Sequence, residues 1–366
     1  MPIHRPLVAA AAITVSVLLA GCGYGGQNTP TSPAPSVVDT RPLAELSLLS
    51  DPLDYVGPST AVLANSPITL AGAPPAQKLP TTVSSHDLDG DTSVKVTSTK
   101  RVLGLDISGS IAATIYGLGF GDRVVGRDIA TTFAEAVDLP VVTSGASSVN
   151  NEAIIALRPD LVITDGTIGP IDVLLQLRDA GITVVFVETD PSLDGVGELA
   201  RQVGAALGAA PAGDALAERL KADIRAKAAE IAAIAPADPT KKLRMLFLYL
   251  RGTSGIYYMF GEESGADILI ESLGGIDVAG EIGWMGMKPM TDEALVAADP
   301  DLILVMTDGL ASVGGVDGLL ESKPAIALTR AGQHKRFVDM ADGEILSFGP
   351  RTADVLDALA RAIYAP

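Results

Sequence analysis

The stretch EAIIALRPDL, residues 152–161, returns later in the chain as EALVAADPDL, residues 293–302, and each copy runs on to a Thr-Asp-Gly, Thr164–Gly166 and Thr307–Gly309. A capping residue precedes each copy by two positions, Asn150 or Thr291. A short apolar helix, a Pro-Asp stop and a strand-like run then follow. Upstream of each copy lies a Leu-Gly pair leading into a β-like turn, Leu118-Gly119 through Gly126 and Leu273-Gly274 through Gly280. A unit used twice implies two similar lobes.

Between the copies, Asp214 to Ile234 reads as an Ala-rich helix with Leu216, Leu220, Ile224 and Ile231 on one stripe and Asp223 to Lys227 as an i,i+4 ion pair. Pro236 and Pro239 end it. On either side, short β-rich runs alternate with helical ones. Before the helix these are Arg101–Leu105, Val124–Gly126, Leu161–Thr164 and Val184–Val187. After it they are Leu243–Leu250, Ile256–Phe260, Leu302–Met306 and Arg336–Met340, with a closing helix over Ala353–Tyr364. The predicted fold is α/β: two similar lobes with mainly parallel sheets, joined by one long linking helix into a clamshell with a rigid hinge. The expected division is a signal peptide over 1–21, a flexible tether over 22–80, an N-terminal lobe over 81–208, the linking helix over 209–237 and a C-terminal lobe over 238–366. The tether follows from the Pro, Ser, Thr, Gly and Ala that dominate Gly23–Leu79. Asp89-Gly90 between two strand-like runs predicts a hairpin in preference to a calcium loop, because the glutamate such a loop needs is missing.

The chain has 366 residues, 48% of them hydrophobic, enough for a large core divided between two lobes. Its formal charge of −18 would repel a phosphate backbone and excludes nucleic acid as a partner. No nucleophile elbow, histidine-rich metal motif or phosphate loop is present, so the chain is not read as an enzyme.

The only cysteine closes the run Leu19-Ala20-Gly21-Cys22, behind the positive His4 and Arg5 and the apolar Leu7–Ala20. At ~21 Å that run is too short to span the ~30 Å core of a bilayer as a helix. The motif resembles a bacterial lipobox. The resemblance implies that residues 1–21 are removed and that Cys22 is acylated, with palmitate among its acyl chains, which places the protein on the outer face of the cell membrane. No cysteine is then left for a disulfide.

The duplicated lobes and single linking helix resemble the substrate-binding proteins of ABC importers for haem, cobalamin and ferric siderophores, over about residues 95–364. The resemblance implies a permease dimer with its ATPase subunits as partners, and an upstream haem-donor surface protein as a further candidate.

Ligands of open α/β sheets bind beyond the carboxyl ends of the strands. The first strand after the linking helix ends Leu248-Tyr249-Leu250-Arg251-Gly252, so Tyr249 and Arg251 share one face, and Gly252 and Gly255 let the backbone turn away. By themselves these residues read as a strand-end tyrosine near the surface and an arginine paired with an acid. The alternative is a phenolate ligand for ferric iron, favoured by the neighbouring cation. The Tyr-Leu-Arg-Gly run resembles the axial-tyrosine motif of actinobacterial haem-uptake lipoproteins, and that resemblance implies Tyr249 as the axial ligand of haem iron with Arg251 as its support.

In those proteins a histidine of the N-terminal lobe faces the tyrosine, whereas Ser147 stands nearest that position here. Haem held through Tyr249 alone is one consequence; a ferric siderophore or cobalamin gathered by Arg127, Arg251 and Trp284 is the other. Trp284, Met285, Met287 and Met290 form a soft apolar cluster suited to a flat macrocycle or to ordinary packing. His86 and His334 read as solvated surface. Glu152 and Glu293 each lie in a first helical turn, where the macrodipole favours a carboxylate. In the cobalamin-binding protein that this chain resembles, the matching glutamates bridge to permease arginines, which implies that Glu152 and Glu293 dock the permease.

Overall fold

Each copy of the repeat folds as a capped helix followed by a parallel strand. In the computed structural model, which describes residues 39–63, 67–72, 75–144 and 148–366, the helices are Asn151–Leu157 and Asp292–Ala298. The Asn150 and Thr291 side chains accept from the backbone N–H of Ala153 and Ala294, satisfying donors that a helix start leaves free. The aspartate after each proline explains why the repeat carries it. Asp160 accepts from the backbone N–H of Lys100 and Arg101 at 3.0 Å each, and Asp301 accepts from that of Arg244 at 3.0 Å. Each Pro-Asp thus ties the strand that follows it to the start of that strand's parallel neighbour in the sheet, Val102–Leu105 in the first copy and Arg244–Arg251 in the second.

The strands, in chain order, are β1 (Ser59–Ala61), β2 (Thr81–Asp87), β3 (Gly90–Val96), β4 (Val102–Leu105), β5 (Leu161–Thr164), β6 (Thr183–Phe186), β7 (Arg244–Arg251), β8 (Ile256–Phe260), β9 (Ile276–Asp277), β10 (Met287–Pro289), β11 (Leu302–Met306) and β12 (Phe337–Met340). The N-terminal lobe holds a parallel sheet in the order β4-β5-β6. The sheet of the C-terminal lobe runs β1-β12-β11-β7-β8-β10, with β9 beside the start of β7; it is parallel from β1 to β7 and antiparallel across β8 and β10. β7 is buried from Met245 to Leu248, as expected of a central strand covered on both faces. β2 and β3 form the hairpin at Asp89-Gly90.

The linking helix runs from Ala210 to Ile234, roughly 38 Å long at 1.5 Å per residue, and buries Leu216, Leu220, Ile224 and Ile231. One end packs on the helix Leu193–Ala206, where Gly204 and Gly213 meet so closely that a Cβ on Gly204 would lie 2.7 Å from the Gly213 Cα. The other end packs on the closing helix, Thr352–Tyr364. That contact replaces the expected Asp223–Lys227 pair. Lys227 instead reaches Asp357 of the closing helix at 2.8 Å and Glu230 of its own, and Asp223 pairs with Arg219 at 3.7 Å.

Two further expectations change. Val124–Gly126 forms no strand; Val124 makes one isolated bridge to Val102. The flexible tether expected over 22–80 does not hold for its described residues from 39 on. Leu43, Ala61 and Leu63 are core residues, and β1 adds a parallel edge to β12. Arg336, 1% exposed, sits 4.3 Å from the Tyr55 ring centroid and donates to the Ile363 carbonyl at 2.6 Å and to the Ser59 hydroxyl at 3.2 Å. Composition missed this because a three-residue strand and scattered leucines leave no periodic signal. The signal peptide, Cys22 and Ser147 lie outside the described residues. Among the described residues, no helix is long and apolar enough to cross a membrane.

Candidate functional site

The carboxyl end of β7 carries Tyr249 and Arg251 half-buried on one face, while Leu248 and Leu250 are fully buried on the other. The Tyr249 ring lies 6.3 Å from Phe260 and 6.5 Å from Tyr258, both on β8. The Arg251 guanidinium lies 4.5 Å from the Tyr249 ring centroid, within cation–π range. It is held there by Asp342 at 2.6 Å and by the Leu250 carbonyl at 2.8 Å. Asp342 is itself oriented by the backbone N–H of Asp308 at 2.9 Å.

The second Thr-Asp-Gly of the repeat builds this cradle. Thr307 bonds Asp339 at 2.7 Å, Asp308 aligns Asp342, and Gly309 leaves the room Arg251 needs, since a Cβ there would lie 3.1 Å from the guanidinium and 2.8 Å from the Leu250 oxygen. Gly252 is equally constrained, because a Cβ would meet Val313 at 2.5 Å. Asp342 and Gly309 were not singled out in the sequence. The recurrence of Thr-Asp-Gly was the available signal; that its glycine faces Arg251 was not.

Trp284 donates from its indole nitrogen to the Met259 carbonyl at 2.9 Å and packs against the core of its own lobe. Met285 bridges to Glu262. Met287 opens β10 instead of lying in a loop, and is 55% exposed. The register of β7, β8 and β10 places Met287 on the same sheet face as Tyr249, two strands across and two residues along, or about 12 Å away. Arg127 is engaged by the carbonyls of Val137, Asp128 and Thr131, so its guanidinium braces a loop. Glu152 and Glu293 are exposed in their first helical turns, one on each lobe. His86 sits on the hairpin, 2.9 Å from Asp91.

The lobes meet next to this site. The Ser110 and Ser347 hydroxyls are 3.2 Å apart, and Gly343, the residue after Asp342, abuts the Ala130 carbonyl. On the N-terminal side of that seam lie two fully buried carboxyls, Asp106 and Asp128. Burial pushes both up from the ordinary carboxylate range, and for Asp106 the nearness of Asp128 and Asp165 adds to it.

Two α/β lobes joined by one long helix, with Tyr249 and Arg251 at a strand end beside the seam, are the architecture of a substrate-binding protein. Residues 107–342 match the family model of periplasmic binding proteins, and the chain belongs to that family. It is 30% identical over 252 residues to YvrC of Bacillus subtilis, described as an uncharacterized ABC transporter substrate-binding lipoprotein, covering 68% of this chain and 76% of that one. It is 26% identical over 324 residues to a cobalamin-binding protein of Halobacterium salinarum, covering 88% and 84%. The crystal structure of the heme-binding protein HmuT superposes with a TM-score of 0.79 at 37% identity, over 87% of this chain and 100% of that one. Structures of HmuT variants with an arginine, a histidine or a tyrosine changed to alanine also match.

Proposed function

We propose that this chain is the lipid-anchored substrate-binding protein of an ABC importer, tethered through Cys22 outside the cell, and that it carries haem for iron acquisition. Haem lies between the lobes with the Tyr249 oxygen on its iron. Arg251, fixed by Asp342, offsets the charge that an iron-bound phenolate brings. The observation that carries this reading is the cradle at the end of β7: a half-exposed tyrosine under a guanidinium held by its own carboxylate. It stands in a chain 37% identical to a heme-binding protein. Trp284, Met285 and Met287 supply apolar surface at the edge of that sheet. Glu152 and Glu293 present one carboxylate from each lobe to the permease.

Titration of the purified protein with haemin, followed in the Soret band, tests the ligand. Saturable one-to-one binding is expected, weakened at least ~100-fold in Tyr249→Ala, a loss of ~2.7 kcal/mol. Identical spectra for the two proteins would refute the tyrosine assignment.

A second reading is cobalamin, favoured by the relative from Halobacterium salinarum. Quenching of Trp284, the only tryptophan, by a panel of haemin, cobalamin and ferric chelates separates the two. Tight binding of cobalamin with haemin inert would select it.

A further inference from the structure

Two Asp-Ile pairs border the seam from the N-terminal lobe, and in both the usual order of burial is reversed. Asp106 and Asp128 are 0% exposed, whereas Ile107 and Ile129 are 52% and 47% exposed. Aspartate is among the side chains least often fully buried and isoleucine among the most. One exposed isoleucine is unremarkable; the same inversion twice, in neighbouring loops, asks for a cause.

The inversion is built with specific hydrogen bonds. Asp106 accepts from the backbone N–H of Ser110 at 2.9 Å and Ile111 at 3.0 Å and from the Ser108 hydroxyl at 2.7 Å. Asp128 accepts from the backbone N–H of Thr131 at 2.7 Å and of Asp106 at 3.2 Å. These bonds offset the cost of taking carboxyls out of water. The backbone N–H of each isoleucine is then held by a threonine hydroxyl, Ile107 by Thr167 at 3.0 Å and Ile129 by Thr143 at 3.1 Å. The backbone that carries each apolar side chain is therefore held between a buried anchor and a hydroxyl clamp, so little ordering of these loops is left to do when something covers them.

Their position gives the occupant. Asp106 directly follows β4, at the carboxyl end of a parallel strand where ligands of such sheets bind. Ser110, which opens the helix after the first loop, and Ala130, in the second loop, contact Ser347 and Gly343 across the seam, and Gly343 adjoins the Asp342 that holds Arg251 over Tyr249. We infer that Ile107 and Ile129 form an apolar wall on the N-terminal lobe that takes the face of the haem macrocycle turned away from Tyr249, an inference that rests on the haem reading above.

The full chain carrying Ile107→Ser, Ile129→Ser or both is titrated with haemin. Each single change is expected to weaken binding about 5-fold and the pair about 30-fold. The charge-transfer absorption of the tyrosine–iron bond at saturation stays as in the unaltered protein, and Ile107→Val with Ile129→Leu stays within about twofold of it. If the serine pair fails to fold, the pair of threonine substitutions keeps the side-chain branching and should weaken binding in the same direction. Unaltered affinity in the folded serine or threonine pair, alongside loss in Tyr249→Ala, overturns the wall and leaves the haem reading standing. Absence of haemin binding by the unaltered chain overturns both.

Discussion

Arg251 meets an aromatic face, a carboxylate and a carbonyl at once, and its partners decide what a substitution there does. Asp342 bonds the guanidinium at one oxygen and the Asp308 N–H at the other, so it sets the angle at which the cation covers Tyr249. Arg251→Ala and Asp342→Ala should therefore each lower haemin affinity about 5- to 20-fold, and the double substitution should cost little more than the worse single one, because both remove one arrangement. Haemin titration of the four proteins measures this; independent, additive losses would show that Asp342 acts elsewhere. Asp106 and Asp128 make a prediction of the opposite kind. Their folded carboxyls hold protons that the unfolded chain has already released, so stability should fall as pH rises from about 4 through the raised values of the pair. Asp87 works the other way. Hydrogen bonding to Arg178 lowers it to about 2, and its contribution is lost only as pH falls below about 4 toward that value. Thermal midpoints measured against pH separate the two limbs: Asp106→Asn or Asp128→Asn should flatten the upper one, and Arg178→Ala the lower.

Among the elements, the least expected is the packed segment from Asp39 to Leu63. The Ser59 hydroxyl bonds the Ala362 carbonyl at 2.7 Å, Thr60 bonds Asp339 at 2.8 Å, and the Leu49 N–H bonds the Tyr364 carbonyl at 2.9 Å, so this segment closes the edge of a sheet whose other strands come from the far end of the chain. A chain beginning at Thr81 should lose several kcal/mol of stability through the exposed faces of β12 and the closing helix; a chain beginning at Asp39 should match the full-length protein. Denaturant unfolding of the three decides it, and equal midpoints would show that the segment adds nothing. Burial lowers Arg336 to about 10, and the shorter chain would remove the Tyr55 and Ser59 contacts that cover it. The contrast with the repeat shows what a sequence can reveal. Caps, Pro-Asp stops and alternating strands are local, so the two lobes, the linking helix and the strand end with Tyr249 and Arg251 were legible. The partners of these elements were not: β1 joins β12 across almost the whole chain, Lys227 chose Asp357 of another helix over Asp223 of its own, and Asp342 reaches Arg251 from a loop with no motif. The exposed isoleucines were illegible for another reason, since hydrophobicity alone assigns them to the core.

In the whole molecule the linking helix and the seam divide the work. Gly204 against Gly213 fixes one end of the helix to the N-terminal lobe, and Lys227 with Asp357 fixes the other to the closing helix, so the lobes have a stiff strut in place of flexible crossovers. A strut of this kind keeps the spacing of surface features on the two lobes nearly constant, and Glu152 and Glu293 occupy equivalent first-turn positions on them. If a permease reads both, its two contacts must be spaced to match, and loss of either should leave the other in register. Exposed rim charges govern orientation and association rate more than affinity. Glu152→Lys and Glu293→Lys should therefore leave haemin titrations unchanged while each slows haemin uptake by cells roughly 5- to 10-fold, and the double reversal should nearly abolish it. Uptake at several external haemin concentrations, with the protein variants present at equal amounts, provides the measurement. A slow single reversal with its counterpart at wild-type rate would mean that only one lobe is read, and normal uptake by the double reversal would remove these glutamates from docking altogether.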